Sequence, residues 1–364
     1  MTPTSPSTGT ASRPRMLRLG PVAAWPWQPR TLLVNLCVLA VLLVGLLRAL
    51  LAFDDYPMGL GEVLATLVGR GEPGPEFVVF QLRLPRALTG MLVGAALGMA
   101  GAIMQGLTRN PLASPDVLGI TWGAAVGAVA VIVTAGSAGG VSGLAADLGL
   151  PVGALLGGLG AAAVVFALSW RTGLASDRLL LVGVATSLVC ANLVYWAMTW
   201  TDLQDAARAQ TWLSGSLHAA DWTRLAPTAL ALGLLVPAAL FVARPLAALG
   251  LGEDTARGLG VRVTGARLAL LGYAALLVCV ATSAAGPIAF VALAAPQIAL
   301  RLARRAQPPL VGSALVGAAL TVVADQLAAG LFAPTQLPVG VFTAILGAPY
   351  LMYLVVRRHR QQSG

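Results

Sequence analysis

The sequence predicts an all-α membrane protein with about ten transmembrane helices and both termini on the cytoplasmic side. Of the 364 residues, 57% are hydrophobic and only 10% are charged. A soluble domain carries about 25% charged residues, so this chain has too few to cover a surface that faces water. The apolar residues fall in long runs, and the arginines are distributed unevenly among the segments between those runs.

The first apolar run, residues 31–52, shows the length that a span needs. As a helix it would be about 33 Å long, enough to cross a hydrocarbon core of roughly 30 Å. It is too long for the core of a signal peptide and no convincing cleavage site follows it, so we expect a retained span. The apolar runs predict ten spans, at residues 31–52, 84–107, 117–136, 150–170, 179–200, 226–243, 267–285, 287–303, 310–329 and 339–356.

The arginines orient these spans. The chain has no lysine, so all 23 basic residues are Arg. With the N-terminus inside, 17 of them lie on the cytoplasmic side, the side on which membrane proteins concentrate positive charge. The six on the outer side are Arg48, Arg70, Arg83, Arg86, Arg208 and Arg224. The formal net charge of +9 therefore reports topology and predicts no binding of nucleic acid.

The tails and the reactive residue types add little chemistry. Residues 1–30, rich in Pro, Ser, Thr and Arg, are predicted to be a disordered cytoplasmic tail, residues 31–358 the transmembrane domain, and residues 359–364 a C-terminal tail. Each of the three cysteines lies inside an apolar span, and none has the spacing of a metal site. Without a histidine cluster or a phosphate-binding loop, we expect no metal, no cofactor, no catalytic residues and no enzymatic activity.

Three segments do not fit a simple helix bundle. At the outer mouth of the second span, Pro85 suits the first turn of a helix, and we expect it to hold the guanidinium groups of Arg83 and Arg86 at the outer surface. A polar turn rich in proline, residues 105–115, follows the same span on the inner side. Glycines four apart within that span predict close packing against a neighbouring helix.

The third segment, residues 249–261, is a short amphipathic stretch on the cytoplasmic side between the sixth and seventh spans. Gly252 and Gly260 are expected to permit sharp bends. Glu253 and Arg257, four residues apart, are expected to pair along a helical turn. Its apolar positions predict contact with another protein, and they are Leu249, Ala256 and Leu259.

Four stretches of the chain resemble the iron-chelate permease family, which includes the ferric siderophore permeases and the vitamin B12 permease. They are RLPRALTGMLVGAALGMAGAIMQGLTRNPLASPDVLGITWGA at 83–124, LGEDTARGLGV at 251–261, GPIAFVALAAPQIALRL at 286–302 and LPVGVFTAILGAPYLMYL at 337–354. The resemblance runs from about residue 30 to residue 358 in the family's order. Its motif residues here are Gln105, Asn110, Pro111, Gly119, Gly286, Pro287, Pro296, Gln297, Pro338, Gly340, Gly347 and Pro349.

The resemblance implies a type II ABC importer permease in the bacterial inner (plasma) membrane. Two permease subunits would surround a central pathway for a ferric-siderophore complex, two ATP-binding subunits would dock underneath, and an extracytoplasmic substrate-binding protein would deliver the cargo. Arg83 and Arg86 would face acidic residues of that binding protein. The segment 249–261 would couple the permease to the ATP-binding subunits through Leu249, Gly252, Glu253, Ala256, Arg257, Leu259 and Gly260.

Two departures from the family pattern predict a heteromeric permease. A third outer arginine, found in the vitamin B12 permease, has no counterpart, and Ala329 stands about there. Gln297 replaces the histidine of many members that pair with themselves. We therefore expect the second permease subunit to be a different homologous chain.

Two alternatives stay open at this point. A permease of the same family could carry cobalamin or haem, because members handle these cargoes with similar spans. A proton-coupled secondary transporter would need ionisable groups within the spans, and only Asp325 qualifies, with no obvious basic partner in the sequence.

Overall fold

Each of the ten predicted spans coincides with a helix in the computed structural model, which describes residues 15–19, 23–27, 29–51, 56, 58–137, 144–170, 176–331 and 336–362. The helices are α1 Pro29–Leu51, α2 Leu60–Leu67, α3 Pro73–Phe77, α4 Leu84–Thr108, α5 Ile120–Ser137, α6 Leu144–Trp170, α7 Ser176–Thr199, α8 Leu203–Leu213, α9 Trp222–Gly250, α10 Glu253–Gly258, α11 Val263–Ala285, α12 Val291–Ala303, α13 Leu310–Gly330 and α14 Val339–Gln362. A π-helical segment, Val78–Arg83, leads into α4, and a 3-10 helix, Pro115–Leu118, precedes α5.

The predicted spans differ in length. Among the described residues, seven helices are long and apolar enough to cross a membrane, namely α1, α4, α6, α7, α9, α11 and α13. Helix α12 is shorter, with 13 residues, whereas α5 and α14 have 18 and 24 residues. The all-α prediction is confirmed for the membrane-embedded part, where every span is a helix.

The N-terminal segment differs from the prediction of disorder at two places. Strands β1 (Arg15–Leu19) and β2 (Ala23–Trp27) pair antiparallel, with Arg15 opposite Trp27. The segment contains leucine and tryptophan beside its prolines and serines, and tryptophan favours extended chain. The predicted tail is therefore not irregular at these ten positions, while residues 1–14 lie outside the described part.

Helix α4 lies at the centre of the bundle. In its most apolar window 78% of the residues are buried, against 17% for α1 and 22% for α7. It packs against α9, α11, α12 and α13, and its core side chains include Met99, Ile103 and Met104. Four spans therefore surround α4, namely α9, α11, α12 and α13, whereas α5, α6 and α7 pack on one another.

Glycines on α4 permit this central position. A Cβ atom on Gly94 would meet the backbone carbonyl of Gly317 on α13, and one on Gly98 would meet the carbonyl of Ser313. A Cβ on Gly101 would collide with the backbone of Ala292 on α12. The regular glycine spacing thus predicted a real packing face, at which backbones are in direct contact.

We expect Gly98→Ala to destabilise the protein and Gly160→Ala to leave its stability unchanged or higher. The methyl group on Gly98 would force α4 away from α13, at a cost of about 1–3 kcal/mol. Gly160 is the matched control, because it lies within α6, is exposed, and has no atom within 4 Å of an added Cβ. Thermal unfolding in detergent measures both, and equal midpoints would contradict the close-contact interpretation.

Candidate functional site

Arg83, expected at the outer surface, is buried instead. Its side chain is 3% exposed, and its Nη1 and Nη2 atoms donate to the carbonyls of Leu50 and Tyr56, at 2.6 Å each. Leu50 lies in the last turn of α1, where backbone carbonyls lack helical partners and attract cations. Pro85 does lie in the first turn of α4. The arginine before it, however, turns inward to fix the end of α1, so the predicted exposure of Arg83 is wrong.

Arg86 is engaged in a bidentate ion pair with Asp325 on α13. The distance from Arg86 Nε to Asp325 Oδ2 is 2.8 Å and from Nη2 to Oδ1 3.0 Å, and the side chains are only 14% and 8% exposed. Bidentate guanidinium–carboxylate pairs are among the strong hydrogen-bonded contacts in proteins. Asp325 therefore has the basic partner that the sequence did not reveal, since the two residues lie 239 positions apart.

The ion pair continues into a polar network at the outer mouth. Arg86 Nη1 donates to Gln336 Oε1 at 3.3 Å, and the same oxygen lies 2.6 Å from His218 Nε2. Because a carbonyl oxygen accepts, Nε2 carries the proton, and His218 Nδ1 accepts from the Ser216 hydroxyl at 2.6 Å. Arg86, His218 and Gln336 line a cavity of about 220 Å³ together with Asp325. Sequence reasoning missed His218 and Gln336, which lie in loops without a motif.

A larger groove of about 520 Å³ is lined by residues of α5, α12 and α14. Its walls are mostly apolar and include Trp122, Leu293 and Val341. Two of the family-motif residues, Pro287 and Gly340, lie along it. This groove is the site at which the structure brings the most motif segments together.

Among the described residues that line this groove, Asp116 is the one with a carboxylate. Its Oδ1 accepts from Thr121 Oγ1 at 2.8 Å and its Oδ2 from Ser114 Oγ at 2.9 Å. Burial raises the pKa of Asp116, while the hydrogen bonds from Thr121 and Ser114 act to lower it. The turn Ser-Pro-Asp, with a threonine five residues after the aspartate, was the sequence signal that could have found this group.

The remaining motif residues shape the backbone around these sites. Gly119, with φ of 76°, ends the 3-10 helix, and Gly286, with φ of 70°, follows α11 where an added Cβ would meet the carbonyl of Trp212. Asn110 Oδ1 accepts from the backbone N–H of Leu112 in the inner turn. Gly340 and Gly347 pack without side chains against Ser214 and the ring of Phe290. The motif prolines lie in the inner turn (Pro111), in the loop before α12 (Pro287), before α14 (Pro338), and inside α12 and α14 (Pro296 and Pro349).

Gln297, which suggested a heteromer, is buried within its own chain. Its Nε2 donates to Gln105 Oε1 at 2.7 Å, and Gln105 Nε2 donates to the carbonyl of Leu293 at 3.0 Å. Both side chains are buried, so the identity of residue 297 reports how α12 packs on α4. Residue 297 therefore makes no contact that would identify a second permease subunit, and it gives no support to a heteromer.

The cytoplasmic segment 249–261 folds into helix α10 between two bends. Gly252 has φ of 120° and Gly260 φ of 80°, which confirms the expected bends. Glu253 pairs with Arg257 at 3.2 Å, as predicted, and also with Arg267 on α11. The contact of Glu253 with Arg267 holds α10 against α11.

The apolar positions of this segment divide between the interior and the surface. Leu249 and Ala256 are 3% and 0% exposed, so the prediction that they contact another protein is wrong: they anchor the segment to its own chain. Leu259 is 62% exposed, and Leu251, which was not among the expected contacts, is 66% exposed. The apolar surface of this segment that is open to a partner protein is therefore formed by Leu251 and Leu259.

Comparison with known proteins places these sites in a family context. A family model, the FecCD transport family, matches residues 39–357. The chain is 38% identical over 331 residues to the ferric enterobactin transport system permease protein of Escherichia coli, covering 91% of this chain and 96% of the relative. It is also 38% identical over 336 residues to the achromobactin transport system permease protein of Dickeya dadantii, covering 90% of this chain and 91% of the relative.

Two further comparisons extend the match. The hemin transport system permease protein of Yersinia pestis is 40% identical over 287 residues, with 78% of this chain and 84% of the relative covered. A solved structure described as a metal-chelate type ABC transporter, in an inward-facing conformation, superposes with a TM-score of 0.78 at 27% identity, covering 89% of this chain and 99% of that one. The resemblance to iron-chelate permeases seen in four motifs is confirmed.

We expect Asp325→Ala to destabilise the protein by about 3 kcal/mol or more, because it leaves the Arg86 guanidinium buried without its carboxylate. Asp254→Ala, which removes a carboxylate with a side chain 99% exposed, is the control and should have little effect. In a double-mutant cycle of unfolding midpoints, Arg86→Ala with Asp325→Ala should cost less than the sum of the single changes. Additive costs would show that the two side chains do not act as a pair.

Proposed function

Because the chain belongs to the FecCD transport family, we propose that it is the membrane-spanning permease subunit of a binding-protein-dependent ABC importer that brings a ferric-siderophore complex into the cytoplasm. The observation that carries the proposal is the groove of about 520 Å³ along α5, α12 and α14. Its mostly apolar walls suit a cargo whose iron is already wrapped by a chelator. Ferric enterobactin and achromobactin, named for two relatives, are the cargo class that we extend to this chain.

A second permease subunit would face this groove and complete the pathway, and we propose that it is a different homologous chain. The outer mouth supports this pairing. Arg83 is buried and Arg86 is paired with Asp325, so these two arginines offer little uncommitted positive charge to an acidic binding protein. A differing partner would supply the rest. Arg86 is the residue of this chain that we propose for docking of the extracytoplasmic substrate-binding protein, because its side chain still reaches the outer cavity.

ATP hydrolysis is assigned to two separate subunits that dock on the cytoplasmic face. Leu251 and Leu259 flank α10 and are the exposed apolar side chains of this segment. Glu253 and Arg257 hold the shape of α10, and Gly252 and Gly260 set its two bends. A push on α10 would therefore reach α11 directly through the contact of Glu253 with Arg267.

Uptake of radiolabelled iron by cells that carry the full transporter tests the function. We expect uptake of ferric siderophore that vanadate abolishes, that a protonophore spares over short times, and that needs the neighbouring ATP-binding subunit. Cobalamin or haem uptake in place of ferric siderophore would contradict the cargo. Uptake sensitive to the protonophore alone would favour a proton-coupled secondary transporter, for which the Asp325–Arg86 pair would be the ionisable element.

We expect Leu251→Asp and Leu259→Asp to yield inserted protein that no longer retains the ATP-binding subunits during purification. A charge on either exposed side chain would stay desolvated in an apolar contact. Leu203→Asp on α8, an outer position that is 87% exposed, is the matched control and should retain them. If both cytoplasmic variants retain the ATP-binding subunits normally, Leu251 and Leu259 are not part of the coupling contact.

A further inference from the structure

A cleft of about 750 Å³ opens on the cytoplasmic side, outside the groove described above, and Leu251 and Leu259 of the coupling segment are among the residues that line it. It lies where the first turn of α1, the last turns of α9 and the loop before α13 meet. Three arginines line it, Arg244, Arg304 and Arg305, and no Asp or Glu is among its lining residues. Its polar lining includes Thr31 and Gln307.

Arg305 is the most enclosed of these arginines. It is half-buried, its Nε donates to Thr31 Oγ1 at 3.0 Å, and burial lowers the pKa of its guanidinium. The five ion pairs found among the described residues do not include it. A cation removed from water without an anion nearby is unfavourable, so the cleft favours an anionic ligand.

The chain itself has few acids to provide that anion. On the cytoplasmic side Glu253 and Asp254 are already paired with Arg257 and Arg267. The N-terminal residues 1–28 and the C-terminal residues 357–364 contain no Asp or Glu in their sequence. The lining of the cleft contains no Asp or Glu, so an anion from outside the chain fits it best.

The surroundings of the cleft indicate which anion it takes. The charge bias places it at the inner boundary of the membrane. Apolar side chains continue from it toward the bilayer: Val311 lines it and is 43% exposed, Phe241 lies one turn from Arg244 and is 76% exposed, and Leu39 lies one turn from Asn35 and is 37% exposed. A lipid with its headgroup in the cleft would lay its acyl chains on this surface.

We propose that this cleft binds the phosphate headgroup of an anionic membrane lipid, of the phosphatidylglycerol class, through Arg304 and Arg305. Basic pockets between transmembrane helices on the cytoplasmic side are a general form of lipid site. A soluble phosphate would satisfy the guanidinium groups but gain nothing from Val311 or Phe241. The lipid joins the ends of α1, α9 and α12 beside the coupling segment.

The test uses the full chain, purified and delipidated in detergent, with micelles doped with phosphatidylglycerol or with phosphatidylcholine of the same acyl chains. We expect phosphatidylglycerol to raise the unfolding midpoint several degrees more than phosphatidylcholine. Arg304→Gln with Arg305→Gln should lose at least half of that difference, and Arg305→Lys should keep most of it. Arg262→Gln, an exposed cytoplasmic arginine outside the cleft, is the charge-matched control and should respond like the wild type.

Four outcomes would overturn the proposal. They are equal midpoints of the wild type in the two lipids, an undiminished preference in the double variant, full stabilisation by inorganic phosphate alone, and stabilisation through these arginines by the ATP-binding subunit but not by lipid. If the double variant does not purify, native mass spectrometry of the wild type decides. Retention of phosphatidylglycerol over phosphatidylcholine supports the proposed site, and equal retention of the two lipids contradicts it.

Discussion

The direct backbone contact of α4 with α13 is the constraint on which the rest of the bundle depends. Lipid tails are as apolar as leucine, so helices in a membrane gain little from hiding apolar side chains from lipid. Close approach and polar links must hold them together. Gly94 and Gly98 let α4 reach the carbonyls of Gly317 and Ser313, which puts both ends of α4 within reach of partners on other helices.

Those partners are joined at both ends of the same helix. At its outer end the arginines reach α1 and α13, through Leu50 and Asp325. At its inner end Gln105 reaches Gln297 on α12, and Arg109, in a left-handed conformation with φ of 49°, donates to the carbonyl of Leu249. Leu249 is in the last turn of α9 and is the first residue of the coupling segment. One central helix thus connects the outer mouth to the cytoplasmic segment by polar contacts.

The sequence predicted the positions of helices and bends well, but it predicted poorly which residues contact each other in the fold. Apolar runs located the helices of all ten predicted spans, because length and hydropathy are properties of each segment alone. Gly252 and Gly260 were expected at bends for the same reason. The burial of Arg83 and the pairing of Arg86 with Asp325 depend on which way two side chains turn after a π-helical segment, and on a residue 239 positions away. Nothing local encodes either.

The coupling segment shows the same limit on a smaller scale. Its pattern correctly marked Leu249, Ala256 and Leu259 as apolar positions in an amphipathic stretch. Which apolar side chain faces inward was decided by the short length of α10 and the bends at its ends, so two of the three anchor the segment and Leu251 is exposed instead. Gln297 was misinterpreted because its partner, Gln105, is on another helix.

The short helix α12 has a consequence for a cargo that crosses beside it. The apolar stretch of α12 runs through 13 residues, Val291–Ala303, which is about 20 Å at the rise of an α-helix. A typical hydrocarbon core is roughly 30 Å thick. Leu293 of α12 borders the groove, so the bilayer must thin, or water must enter, along α12. The low-dielectric barrier is therefore narrowest where the groove lies, and a polar complex entering there has the least distance to travel out of contact with water.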